Sequence, residues 1–173
     1  MIAITFDDGP HSSVTHDILD ILEQYEAHAT FFIIGDRISH HADIIRRIVE
    51  QGCELGNHTY GHLDLSQMNQ QEMNNQIKTS EETLASFVDS SFLPKLVRPP
   101  FGNTSEILLE NCPYPIITWS IDTKDWSHKN AERSFKEVVN HVQDGDIILM
   151  HDMYSATTEA TKKIVEWLNK QGY

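Results

Sequence analysis

Asp7 and Asp8 stand side by side in Thr5-Phe6-Asp7-Asp8-Gly9-Pro10. Adjacent carboxylates at the end of a strand tend to point in different directions, so the two can hold different tasks. The same run also describes a plain turn, because Asp, Gly and Pro are turn residues. His58 and His62 lie at i and i+4 in His58-Thr59-Tyr60-Gly61-His62. That spacing lets two imidazoles meet on one helical turn and bind one metal. In a chain with ten histidines the pair alone is a weak signal; a carboxylate from another strand end strengthens it. Two His and one Asp with an open position is a catalytic rather than a structural zinc arrangement. Arg98 precedes Pro99-Pro100 on a rigid stretch, which suits a fixed role better than a surface ion pair. His151 follows the apolar run Ile147–Met150 and reads either as a satisfied core histidine or as a functional group at the strand end. No Ser or Cys nucleophile with a neighbouring base stands out.

These groups need elements to position them. Apolar runs predict strands at Ile2–Phe6, Ala29–Ile34, Glu54–Gly56, Leu96–Arg98, Ile116–Ile121 and Asp146–Met150. Helical spacing of apolar residues separates them, as in Val14, Ile18, Ile21, Leu22 and Tyr25. Strand–helix alternation predicts βα units and a mostly parallel α/β sheet, either open and doubly wound or a barrel. A chain of 173 residues is short of the roughly 250 typical of an eight-stranded barrel. In either case ligands bind at the C-terminal ends of the strands. Five strand ends deliver chemistry there: Asp7-Asp8, Asn57-His58 with His62, Arg98 to Gly102, Asp122 with Asp125 and Trp126, and His151-Asp152.

Composition narrows the partners. The 26 acidic residues outnumber the 13 basic ones, for a net charge of −13. A phosphate backbone wants a Lys/Arg surface, so nucleic acid is excluded as the expected partner, and an anionic membrane surface with it. No apolar run approaches the roughly 20 residues of a membrane helix, so no membrane insertion is expected. Residues 1–173 show no repeat, low-complexity tract or linker and read as one domain. Cys53 and Cys112 read as free thiols, with one disulfide as the alternative. The other histidines read as surface or helix-end residues, with His11, directly after Pro10, the one that could approach the site.

In order along the chain, TFDDGP (Thr5–Pro10), HTYGH (His58–His62), RPPF (Arg98–Phe101), DTKDW (Asp122–Trp126) and LMH (Leu149–His151) resemble the five motifs of the polysaccharide deacetylases. This is the NodB-like domain of carbohydrate esterase family four. The first two motifs are highly specific; RPPF and LMH are weak alone but fall in the right order. The resemblance implies an irregular, incomplete (β/α) barrel of about six to seven parallel strands. It implies one divalent metal ion, usually zinc, with cobalt or another divalent ion as alternatives, held by Asp8, His58 and His62. Asp7 matches the general base and Arg98 the group that orients it. Phe101 matches the position whose backbone N–H serves the oxyanion. His151 matches the general acid and Asp122 its acidic partner. Trp126 and Leu149 match the apolar walls around the acetyl methyl. The implied reaction is deacetylation of an acetylated polysaccharide, N-acetylglucosamine units of peptidoglycan or chitin first and O-acetyl xylan second, by a monomer. A non-catalytic glycan binder is the reading from another class. Phe101 stands where many relatives carry Tyr, which a backbone donor tolerates. Relatives usually run on into a further strand after the last helix, so incomplete closure is expected. The substrate class implies an extracellular or cell-envelope location, although these residues show no signal peptide.

Overall fold

The computed structural model describes residues 1–173. Five parallel strands form one open sheet in the order β3-β2-β1-β5-β4. They are β1 (Ala3–Asp7), β2 (Thr30–Ile33), β3 (Glu54–Asn57), β4 (Ile121–Asp122) and β5 (Ile147–His151). Helices α1 (Val14–Gln24), α2 (Ala42–Glu50), α3 (Gln70–Leu84), α4 (Glu106–Asn111), α5 (Asp125–His128), α6 (Ala131–His141) and α7 (Ser155–Lys170) connect and cover them. The core lies between the strands and α1, α2, α6 and α7. Phe6 stacks on Phe31 within it, ring centroids 5.1 Å apart. A smaller cluster of Leu65, Met73, Ile77, Val97 and Leu108 sits beneath α3 and α4.

Register sets which side chains share a level. Asp7 pairs with His151 across β1 and β5, and Ile33 pairs with Asn57 across β2 and β3. The ends of β1, β3 and β5 therefore deliver Asp7, Asp8, His58 and His151 to one rim. Asp122 pairs with Leu149, two residues short of His151. At roughly 3.3 Å per residue, Asp122 sits about 6.6 Å below that rim.

Two expected strands differ. Leu96–Arg98 forms no strand, only bridges from Val97 to Asn57 and to Ile116, and the last part of Ile116–Ile121 alone joins the sheet, as β4. Pro94, Pro99, Pro113 and Pro115 crowd these stretches, and a proline has no N–H for a ladder. The carbonyls of Ile117 and Thr118 are also taken, because the Arg98 guanidinium donates to both, at 3.2 and 2.8 Å. Arg98 thus fills the gap where a sixth strand would have closed the wall. The sheet has five strands rather than six or seven, and it stays open. Cys53 and Cys112 are both free thiols.

Candidate active site

Asp8 leaves β1 in the left-handed region, at φ 73°, which an L-residue adopts rarely. Its carboxylate faces the two imidazoles. Its Oδ1 stands 3.1 Å from His62 Nε2 and 3.4 Å from His58 Nε2. The two histidines do not share a helical turn. Residues 58–62 form a loop with Thr59 and His62 at positive φ. Asn57 holds the loop by accepting from Thr59 N–H at 2.9 Å, and the Thr59 hydroxyl accepts from His62 N–H at 3.1 Å. The i, i+4 spacing pointed to the right pair through the wrong geometry.

The donor set fits a divalent ion. Three ligands of a tetrahedral zinc at 2.0–2.1 Å lie about 3.3 Å from one another. The two separations from Asp8 bracket that value, and the three donor atoms all fall within 4.8 Å of one another. His58 is buried, and its Nδ1 faces the Arg98 carbonyl at 2.7 Å. With the proton on Nδ1, the Nε2 lone pair points at the site, a common arrangement behind metal-binding imidazoles. With the His58 ring protonated instead, burial still pushes the Asp8 carboxyl up, but its hydrogen bonds to His58 and His62 and the His58 charge outweigh that and hold it well below the usual carboxylate range.

Asp7 is held from the opposite side. Arg98, fully buried, donates through Nη1 to Asp7 Oδ1 at 2.7 Å and to the Thr5 hydroxyl at 2.8 Å. Its guanidinium lies 4.0 Å over the Phe32 ring. One guanidinium therefore makes four hydrogen bonds and a cation–π contact and cannot turn. Asp7 Oδ1 is thereby fixed, while Oδ2 lies 3.8 Å from His58 Nε2 on the metal side.

His151 meets Asp125, not Asp122. Asp125 Oδ1 lies 2.8 Å from His151 Nδ1, and its Oδ2 accepts from His151 N–H at 2.8 Å and from Thr157 Oγ1 at 2.6 Å. Register explains the correction: Asp122 is too low on the sheet, whereas the chain turns after it and α5 brings Asp125 back to the rim. Asp122 instead accepts from Lys124 N–H and lines the pocket. Burial works against a charged His151 ring, but the Asp125 hydrogen bond and charge, with Asp7 and Asp8 behind, outweigh it and raise the pKa above the usual imidazole value.

Asp7, Asp8, His58, His62, Phe101, Asp122, Trp126, Leu149 and His151 line one cavity of about 470 Å³. Arg98 is the single expected site residue outside it, one layer down behind Asp7. Phe101 sits in a left-handed bend, at φ 63°, with its exposed ring edge-on to His62 at 4.9 Å. Leu149 is buried at the floor and Trp126 half exposed at the rim. Trp119 and Tyr154 also line the cavity, and sequence reasoning missed both. Only the folded chain shows the Trp119 contact: Gly102 at φ 71° has no room for a Cβ, which would stand 2.7 Å from the indole. His11 does not enter the site; its Nδ1 accepts from Ser13 and Val14 N–H and caps α1.

Residues 1–114 match the polysaccharide deacetylase family. The chain is 38% identical over 172 residues to the peptidoglycan-N-acetylglucosamine deacetylase PgdA of Listeria monocytogenes, covering 99% of this chain but 36% of that protein. The structure of the Bacillus subtilis peptidoglycan deacetylase PdaC superposes with a TM-score of 0.95 at 35% identity, over 100% of this chain and 85% of that one. A family 4 acetyl xylan esterase from Clostridium thermocellum, solved with a cobalt ion, superposes at 0.93 and 34% identity, over 99% and 85%.

Proposed function

Because the chain belongs to the polysaccharide deacetylase family, we propose that it hydrolyses acetyl groups from acetylated polysaccharide, with N-acetylglucosamine units of peptidoglycan or chitin as substrate. One observation carries this reading. A fixed carboxylate, Asp7 on Arg98, and a fixed imidazole, His151 on Asp125, line the same cavity as Asp8, His58 and His62, three groups whose spacing could hold a metal.

Asp8, His58 and His62 would hold the ion, zinc first; when bound, it supplies a Lewis acid that polarises the acetyl carbonyl and makes water easier to deprotonate. The chain's own groups do the rest. Asp7 Oδ2 takes the proton from water as the water attacks, because Arg98 leaves that oxygen free. The Phe101 backbone N–H donates to the oxygen that gains negative charge. A donor of this kind is worth about 100- to 1,000-fold in rate. His151, protonated, presents Nε2 to the leaving nitrogen and passes its proton there. The carbon–nitrogen bond then breaks to give acetate and a free amine. Asp125 holds Nδ1 and stabilises the protonated ring. Leu149 and Trp126 wall the acetyl methyl.

The acetyl xylan esterase likeness supports a second substrate class, since the same groups serve an ester. The likeness to peptidoglycan enzymes supports action in the cell envelope or outside the cell, and no helix is long and apolar enough to cross a membrane. The test is acetate release from N-acetyl-chitooligosaccharides, purified peptidoglycan and acetylated xylan, side by side. Release from an N-acetyl substrate in preference to xylan supports the proposal; xylan alone moves the chain to the esterases; release from none, in folded zinc-loaded protein, overturns it and leaves the glycan-binder reading.

A further inference from the structure

Asp152 follows His151 but does not line the cavity. Its side chain is fully buried behind the β1–α1 turn, and its Oδ1 has no partner. Burying an acid is costly unless hydrogen bonds or protonation offset the lost hydration. Three contacts of Asp152, and one of its partner Thr15, show what it braces. The Thr15 hydroxyl, on α1, donates to Asp152 Oδ2 at 2.5 Å. Thr15 in turn accepts from His11 N–H at 2.8 Å. Asp152 N–H donates to the Asp7 carbonyl at 3.3 Å. The carboxyl also fills the space beside Gly9 so fully that a Cβ there would overlap its Oδ2. The residue between Asp7 and Gly9 is Asp8, bent at φ 73°.

We propose that Asp152, with Thr15, is a positioning residue for the metal: it braces the Asp7–His11 turn from behind and so holds Asp8 in the bend that aims its carboxylate at His58 and His62. The inference rests on the metal site proposed above. Asp152 touches neither substrate nor metal. Packing alone would be met by an apolar side chain of the same volume. The acid instead ties Thr15 to the turn, and the turn carries both the base and a ligand. Burial pushes the Asp152 carboxyl up to about 7, against the Thr15 hydrogen bond and with Asp7 and Asp8 adding to the rise, so asparagine is its conservative replacement.

The test measures zinc affinity by chelator competition at pH 6.5, beside kcat, KM and thermal unfolding, for Asp152→Ala, Asp152→Asn and Thr15→Val. Loss of a group that orients a metal ligand typically weakens binding about 10- to 100-fold. We expect that loss in Asp152→Ala and Thr15→Val, with lower kcat and KM within about twofold, and recovery of most of it in Asp152→Asn. Folded Asp152→Ala and Thr15→Val with wild-type zinc affinity would overturn the proposal. So would unfolding of Asp152→Ala together with wild-type affinity in Thr15→Val, or failure of both to fold, since each assigns the pair to the fold alone. A wild-type protein that binds zinc but releases no acetate would defeat the proposed activity and leave this affinity comparison intact.

Discussion

Replacing Asp125 with Asn separates the structure's assignment from the one that motif order suggests. Asp125 accepts hydrogen bonds from His151 Nδ1–H, His151 N–H, Thr157 Oγ1 and Trp126 N–H. Asn offers one acceptor oxygen and one NH₂. Whichever way the amide sits, its NH₂ faces groups that were donating, so at least one buried donor is left unpaired. That costs about 1–3 kcal/mol of stability. The charge that favours protonated His151 is lost as well. A positioned acid contributes about 100- to 10,000-fold to rate. We expect kcat in Asp125→Asn to fall at least about 100-fold, equivalent to about 2.7 kcal/mol. The pH profile carries the sign. Asp125 raises the His151 pKa, so the active acid form persists above the usual imidazole range, and activity falls as pH rises through that raised value. Without Asp125 this alkaline limb moves to lower pH. The pair's stability contribution follows the same order: full below about 6.5 and lost as pH rises through the folded value. The assay is kcat against pH from about 5 to 10, with Asp122→Asn in parallel. Asn at 122 can still accept from Lys124 N–H, so its loss stays about an order of magnitude smaller. An Asp122→Asn defect as large as that of Asp125→Asn, or an unmoved alkaline limb in Asp125→Asn, would refute the reasoning.

Arg98→Met removes four hydrogen bonds and leaves Asp7 buried without its partner; unfolding by urea should show a loss of about 3–5 kcal/mol, and activity should vanish in whatever remains folded. Zinc should raise thermal stability by about 2.7 kcal/mol at a free concentration 100 times its Kd, and Asp8→Ala should abolish that shift in a thermal melt. Asp152 takes up its proton near 7 in the folded protein and near 4 unfolded, so its stabilising effect is full below about 4 and declines as pH rises towards 7. Asp152→Asn is free of that decline, and its unfolding free energy relative to wild type should therefore improve between pH 5 and pH 8.

Much of this was legible in the residues because strand ends are local features. Asp7-Asp8, His58 and His151 each follow a short apolar run, and a parallel sheet gathers such ends on one side. What sequence could not supply was level. That Asp122 pairs with Leu149 while Asp125 swings back to His151 depends on inter-strand register and on a Lys124 bend at φ 53°, neither of which leaves a mark in composition. The His58–His62 loop was misjudged because i, i+4 spacing fits a helix equally well; the Asn57 and Thr59 side chains that shape the loop act through the backbone. The missing sixth strand had a signal in its prolines. Its second cause did not: Arg98 takes carbonyls that a strand would have used, and only the folded chain brings Ile117 and Thr118 within its reach.

The most direct test of the account is acetate release from an N-acetyl-chitooligosaccharide by the wild-type chain and Asp7→Asn, each stripped with chelator and then reloaded with zinc. The account predicts no release from stripped wild type, recovery on adding zinc, and no recovery in Asp7→Asn although it binds zinc. Turnover by the zinc-loaded Asp7→Asn protein near the wild-type rate, or by the stripped wild type, would contradict it.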